Sequence, residues 1–331
     1  MFKQITFYAI HNPGSLDLAA IELAMKSAQF AGIGSMQEQA LGWVPPRGEE
    51  GGPLVESISG HWLAQLRIDT RTVPAQAKKE QLTLLVEAFE KETGRKPNRK
   101  KLQELKEQAL DTLLPKVLPK TSLIWVWIDP AAQTVGISTA TQGKVDTTVT
   151  ALIRSIEGLE LKASEDMARL STAMGLWLGQ EDGGQLPGDL QLGNACLLQA
   201  EDESKATARF TNQHLDCDEV RQNLLAGKVP RSIELVVPDR LTFTLCDDGK
   251  FKQITFDGGL LAGANHERGQ ELDGTFTLMA GELAQLHRLI SEHAKETVER
   301  ADRHMEASNQ AIKGVAHMWG ASGLSLDLAA A

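Results

Sequence analysis

The sequence predicts an α+β fold, built of antiparallel sheets with packed helices and carrying a projecting helical hairpin. Three observations point there. Apolar-alternating runs come in pairs across tight turns: Leu54–Ser59 with His61–Thr70 through Ser59-Gly60, and Leu241–Cys246 with Phe251–Phe256 through Asp247-Asp248-Gly249-Lys250. Helical periodicity arrives in blocks set between those runs. Residues 74–118 hold two consecutive amphipathic helices joined by a short link containing Gly94 and Pro97.

In chain order, Phe2–Ile10 reads as a strand ended by His11-Asn12-Pro13-Gly14, and Leu16–Phe30 as a helix through Leu18, Ile21, Leu23 and Met25. Leu41–Pro46 precedes a glycine-rich turn at Gly48–Gly52 and the first hairpin. Pro74 suits a first helical turn, Ala75–Thr93 places Leu82, Leu85 and Phe89 on one face, and Gly94 closes the helix. Asn98 then caps Arg99–Leu114, whose apolar stripe is Leu102, Leu105, Ala109 and Leu113, and Pro115 stops it. Strands follow at Ser122–Asp129 and Gln133–Thr139, a helix at Val145–Glu157, a short extended piece at Leu159–Lys162 and a helix at Ser164–Leu176.

The loop Gly179–Gly188 marks a candidate boundary. Beyond it come strands at Leu190–Ala200 and Lys205–Phe210, a helix at Asp216–Leu225 and a strand at Ser232–Val237. The second hairpin, a strand at Thr275–Met279 and a helix from Gly281 to about Arg303 complete the pattern. The domains expected are therefore 1–163, with the hairpin 74–118 projecting from it, 164–302, and a flexible tail at 303–331. The hexapeptide Phe-Lys-Gln-Ile-Thr-Phe occurs at 2–7 and again at 251–256. Either two half-buried strands coincide, or they hold equivalent places in related sheets; six residues do not decide it.

Composition is that of an ordinary soluble protein: 331 residues, 42% hydrophobic and 24% charged. Cys196, Cys217 and Cys246 are odd in number and far apart, which predicts buried, reduced thiols. With neither a leader-like start nor a membrane-length apolar run, the expectation is a cytoplasmic protein.

Charge is distributed unevenly. Between Arg95 and Lys120 lie eight basic residues, Arg95, Lys96, Arg99, Lys100, Lys101, Lys106, Lys116 and Lys120, against Glu104, Glu107 and Asp111. That is +5 within a chain of −10, so everything else carries −15. A basic block on an acidic protein points to an anionic polymer, because binding follows the distribution of charge rather than its sum. Arg99, Lys100 and Lys101 open a helix, where the macrodipole disfavours cations by a few tenths of a kcal/mol. Phosphates there would reverse the penalty. The bland alternative is a lysine-rich helix start merely solvated at an exposed tip.

Phe89 alone among aromatics lies near this block, which disfavours single-strand binding by stacking. Zinc-finger, RNP and basic-zipper patterns are missing, leaving sequence-insensitive contact with duplex backbone. His214, Asp216, Cys217, Asp218 and Glu219 form the densest set of potential metal ligands, yet a helix start explains the acids unaided. His287 and His293 are six apart and do not share a helix face. Phosphate-loop, nucleophile-elbow and dinucleotide fingerprints are missing, so neither a catalytic centre nor a cofactor is expected.

Several words of the sequence stand in a telling order: Gly42-Trp43-Val44-Pro45-Pro46, Leu113-Leu114-Pro115-Lys116, Trp127-Ile128-Asp129, Ala226-Gly227-Lys228-Val229, Cys246-Asp247-Asp248-Gly249, then Phe276-Thr277-Leu278-Met279 with Gly281-Glu282-Leu283. So ordered, they resemble the RdgC family of bacterial recombination-associated proteins, from Phe2 to about Ile290. The resemblance implies a non-enzymatic, nucleoid-associated protein that binds double-stranded DNA with little sequence preference. It also implies a homodimeric ring with a positively lined hole, restraining a RecA-type recombinase by occupying DNA. Arg67 and Arg71 match basic positions of the family before the helical hairpin, and Lys116 one after Leu-Leu-Pro. Leu118 stands where many members have Phe, and Thr211-Asn212 stand before Gln213 where close relatives carry a basic pair. Leu118, Asn212 and Gln213 are thus the dimer-interface positions it implies.

The expected DNA contacts are Arg95, Lys96, Arg99, Lys100, Lys101 and Lys106, with Arg67, Arg71, Lys116 and Lys120 behind them. An alternative is a regulator that touches the recombinase or another nucleoid protein directly. Charge reversal at Arg99, Lys100 and Lys101 separates the two. A third reading, a metal-dependent nuclease using Asp216–Glu219, is tested by plasmid integrity in Mg²⁺ or Mn²⁺.

Overall fold

The computed structural model describes residues 1–12, 14, 16–163, 170–179, 186–262 and 271–321, the side chains of 261, 262 and 304–321 excepted. The chain divides into two compact units, Met1–Ala163 and Ser164–Ala331. Both are α+β with antiparallel strand pairing.

The first unit runs β1 (Thr6–Ile10), α1 (Leu18–Ser27), β2 (Gln39–Val44), β3 (Val55–Ile58), β4 (His61–Thr70), α2 (Ala75–Thr93), α3 (Arg99–Leu113), β5 (Lys120–Asp129), β6 (Thr134–Ile137), α4 (Gln142–Ser155) and β7 (Leu161–Ala163). Its sheet has the order β2-β4-β5-β6-β1-β7, with β3 also on β4. Strand β4 is the spine. Its first half pairs with β3 (Val55↔Ala64), its second half with β2 (Val44↔Gln65), and nearly its whole length with β5 (Trp62↔Ile128 to Thr70↔Lys120). Alternation sends Ala64, Leu66 and Ile68 of β4, and Ile124, Val126 and Ile128 of β5, into one core with Ile21 and Met25 of α1 and Val145 and Leu152 of α4. Leu63 and Trp127 belong to the other face, where Phe7 meets Trp127 edge-on at 5.9 Å.

The second unit contains α5 (Leu170–Gly179), β8 (Gln191–Ala200), β9 (Thr207–Phe210), α6 (Asp218–Leu225), β10 (Lys228–Val237), β11 (Leu241–Cys246), β12 (Phe251–Phe256), α7 (Gly258–Ala262) and α8 (Glu271–Ala321). Its sheet is ordered β12-β11-β10-β8-β9. Ile233, Leu235, Phe243, Leu245 and Phe251 are buried on one side of it. Helix α8 buries Phe276, Met279, Ala280, Leu283, Leu286, Ile290, Ala294 and Val298, and its His293 stacks on Trp177 of α5 with centroids 6.3 Å apart.

Three expectations change, and the question left open by the repeated hexapeptide is decided. The strand expected at Thr275–Met279 is the first part of α8: Phe276, Met279, Ala280 and Leu283 recur at helical spacing and are buried as one stripe, which outweighs the β-branched Thr275 and Thr277. The helix goes on past Arg303 to Ala321, where a flexible tail was expected; 322–331 lie outside the described residues, as do 164–169 of the expected Ser164–Leu176 helix. The two Phe-Lys-Gln-Ile-Thr-Phe copies are not equivalent. The first enters regular strand only at Thr6, in a strand between β6 and β7, whereas the second is the whole edge strand β12. Cys196 and Cys246 are buried as expected, but Cys217, at the start of α6, is half-exposed.

Candidate nucleic-acid interface

Helices α2 and α3 form an excursion between adjacent strands. Thr70 ends β4 directly opposite Lys120, which begins β5, so the hairpin leaves and returns at one point of the sheet edge. Its turn follows from three residues. Gly94 takes the left-handed conformation (φ 66°) and returns its N–H to the Glu90 carbonyl, ending α2. Pro97 cannot donate to a helix. Asn98 accepts from the Lys101 N–H at 2.8 Å and starts α3. The helices pack through Leu105 and Ala109 of α3, both buried, while α2 has no fully buried residue; its Leu82, Leu85 and Phe89 are half-buried and Leu84 is 60% exposed. The Lys101 ammonium lies 5.8 Å from the Phe89 ring, so the start of α3 meets the end of α2.

The candidate cations fall into two groups. Arg95, Lys96, Arg99, Lys100 and Lys106 are exposed around the turn and first half of α3 and, among the described residues, form no ion pair. Arg99, Gln103 and Lys106 share one face of α3 and line an open groove with Lys100 and Leu102, into which the acids Glu104 and Glu107 also fall. Lys101 differs, being paired to Glu104 at 3.1 Å and half-buried over Phe89. Neither helix carries an acid in its first turn.

The other group sits at the root. Arg67 donates to both carboxylate oxygens of Asp69 at 2.9 and 2.8 Å and stacks over Phe30 at 4.4 Å. Asp69 is 2% exposed and also accepts from Thr121 at 2.8 Å. The Arg67 hydrogen bonds hold its carboxyl below the usual range, and the same contact raises the guanidinium. Arg67 is therefore neutralised in place and is the weakest of the phosphate candidates. Arg71 donates to the Gly34 and Ser35 carbonyls, tying the root to the 34–35 loop without losing its charge. Lys116 and Lys120 are exposed where the chain returns. Lys78 and Lys79, exposed in the first turns of α2 at this same root, are cations the sequence reading passed over; the Pro74 start with no acid behind it was the available signal.

Leu118, in the returning segment, is 89% exposed. Asn212 and Gln213 are exposed in the second unit beyond β9, Asn212 in the left-handed conformation (φ 58°). Asp216 and Asp218 both pair with Arg221, which accounts for two of the potential metal ligands. Among the described residues no group of three or more His, Cys, Asp or Glu is disposed to hold a metal, and no helix is long and apolar enough to cross a membrane.

Two antiparallel-sheet units, one bearing an exposed cationic helical hairpin, make up an α+β protein. The sequence comparisons narrow this. Residues 1–296 match the family described as "Putative exonuclease, RdgC". Curated relatives named Recombination-associated protein RdgC include one from Dechloromonas aromatica, 28% identical over 305 residues (90% of this chain, 99% of the relative). Others are from Cupriavidus necator, 30% identical over 287 residues (86% and 94%), and Aeromonas hydrophila, 30% over 288 residues (86% and 94%). The chain belongs to the RdgC family, as the ordered words of its sequence implied.

Proposed function

We propose that this protein binds duplex DNA without sequence preference through the α2–α3 hairpin, as a homodimeric ring that restrains RecA-type recombination in the nucleoid. The observation that carries the DNA reading is the exposure of Arg95, Lys96, Arg99, Lys100 and Lys106 without anionic partners, on a chain whose remainder is strongly acidic. Free N–H groups at the start of α3 add to those charges, and backbone contact needs nothing more. The role is read as non-catalytic, because two of the three carboxylates a nuclease would use at the start of α6, Asp216 and Asp218, pair with Arg221.

The test is duplex affinity across a salt series. The logarithm of the binding constant should fall by about 0.9 per decade of salt for each phosphate neutralised. Reversing Arg99, Lys100 and Lys106 to Glu should weaken binding about a hundredfold or more and flatten that slope. Affinity indifferent to both salt and reversal would overturn the DNA reading. Plasmid degradation in Mg²⁺ or Mn²⁺ would overturn the non-catalytic one. The exposed Leu84 and Leu118 favour one second reading, direct contact with the recombinase; it requires the charge-reversed protein to keep its inhibition.

A further inference from the structure

Helix α8 changes character along its length. At 51 residues it spans roughly 75 Å, more than twice the reach of a ten-residue strand in the sheet beside it. Up to Val298 its buried residues follow the broad spacing of a helix lying on a globular core, with Leu286, Ile290, Ala294 and Val298 four apart. Beyond Val298 the spacing becomes strictly three and four in turn: Val298, Ala301, Met305, Ser308, Ile312, Val315, Trp319. That 3.5-residue recurrence is what pairing with another helix demands, because a straight helix on a flat surface drifts out of it.

A second observation concerns charge. With Val298 at heptad position a, the charged residues Glu299, Arg300, Arg303, Glu306 and Lys313 fall at b, c or f, the positions remote from a partner helix. Of the flanking e and g positions only Asp302 is charged, and Ala311, Ala316 and Met318 are small or apolar. A coiled coil meant for a different partner is specified by complementary e and g charges, and this segment offers none. It equally lacks the like-charge clashes that would bar self-pairing. Between 304 and 321 Lys313 is the one Lys or Arg, too few for an anionic lipid surface.

The segment also lies outside what the family shares. The family match ends at residue 296, and nine-tenths of this chain accounts for 99% of the Dechloromonas relative. We propose that α8 beyond Val298 is a self-association helix, forming a parallel, in-register coiled coil with the same segment of a second copy of this chain. Ser308 sets the orientation: in register it meets Ser308, whereas an antiparallel pairing sets it against an apolar position. Each assembly would then hold a contact outside the family-matched residues 1–296, independent of whether the hairpin binds DNA.

The test uses the full chain with Cys217→Ser, leaving only the buried Cys196 and Cys246. Ile312→Cys, at position a, should give a covalent dimer on mild oxidation by diamide, while Gln310→Cys, at position f, should not. Adding Val315→Glu to the Ile312→Cys protein should lower the dimer yield about tenfold, without loss of helical signal. No dimer from Ile312→Cys would overturn the proposal, as would equal yields from both cysteine positions. Binding of the uncrosslinked protein to phosphatidylglycerol vesicles, abolished by Ile312→Glu, would overturn it in favour of a lipid surface. Because the crosslink is read without DNA, its failure is distinct from a failure of duplex binding.

Discussion

A Cβ built on Gly42 would stand 2.4 Å from the Cα of Phe30, because residues 28–30 run alongside β2, with the Phe30 N–H on the Trp43 carbonyl and the Trp43 N–H on Ala28. The neighbour is backbone and cannot swing aside. Trp43 is fully buried beside it, its indole N–H donating to Ser155 at 2.8 Å, so one half of the Gly-Trp pair admits the crossing chain and the other anchors it. Gly42→Ala should cost about 1–3 kcal/mol in denaturant unfolding, as overpacking does. Asp69 gives a pH-dependent counterpart. Its carboxyl is held low in the folded state, so its stabilisation is full above the ordinary aspartate value of about 3.9 and is lost as pH falls through the depressed one. Asp69→Asn should cost about 1.5–3 kcal/mol at neutral pH, the range for hydrogen bonds to charged groups. Unfolding measured down the acid limb should show the gap to the parent closing below about pH 4; a constant gap would mean the Arg67 contact carries no charge energy.

At the scale of elements, the α2–α3 hairpin is held by little apolar burial, so its local signals matter more than they would in a core helix. Removing the Asn98 cap (Asn98→Ala) should cost about 1 kcal/mol and fray the first turn of α3. Amide exchange at Lys100–Leu102 should accelerate, and duplex affinity should fall although no cation has been removed. The hairpin was legible in the sequence because its signals are local: Gly94, Asn98 and Pro115 act within a turn, and charge needs no partner to be counted. Elements governed by distant partners were not. Strand β10 was expected from Ser232; it begins at Lys228, and Pro230, a residue unsuited to a central strand, pairs with Leu198 beside a register shift, where β11 has already ended. Thr275–Met279 read as extended until the stripe it shares with the rest of α8 was laid on a core. Within the site, exposure of Arg99 and Lys106 followed from amphipathicity; the pairing of Arg67 with Asp69 was legible too, since residues two apart on a strand share a face, but the packing of Phe30 and Thr121 that fixes the contact depends on distant segments.

For the whole molecule, the proposed duplex binding poses the question whether DNA would respond to total charge or to its placement. The chain is −10, and a polyanion approaching from a distance meets net repulsion; at 0.15 M salt that field is screened within about 8 Å. Inside that range only the nearest surface counts, and the hairpin presents a cluster of exposed cations with no acid in the first turn of either helix. Reversing Arg99, Lys100 and Lys106 to Glu takes the chain from −10 to −16. Reversing Lys3, Lys205 and Lys295, exposed residues that are not part of the hairpin, gives the same −16. If placement governs, the first protein loses duplex affinity about a hundredfold at 0.15 M salt and the second stays within a few-fold of the parent. The second should fall behind only at low ionic strength, where the Debye length approaches 30 Å and distant charges are felt. Fluorescence anisotropy on one duplex at two salt concentrations distinguishes the cases, and equal losses for the two proteins would make the basic hairpin a bystander to a bulk electrostatic effect.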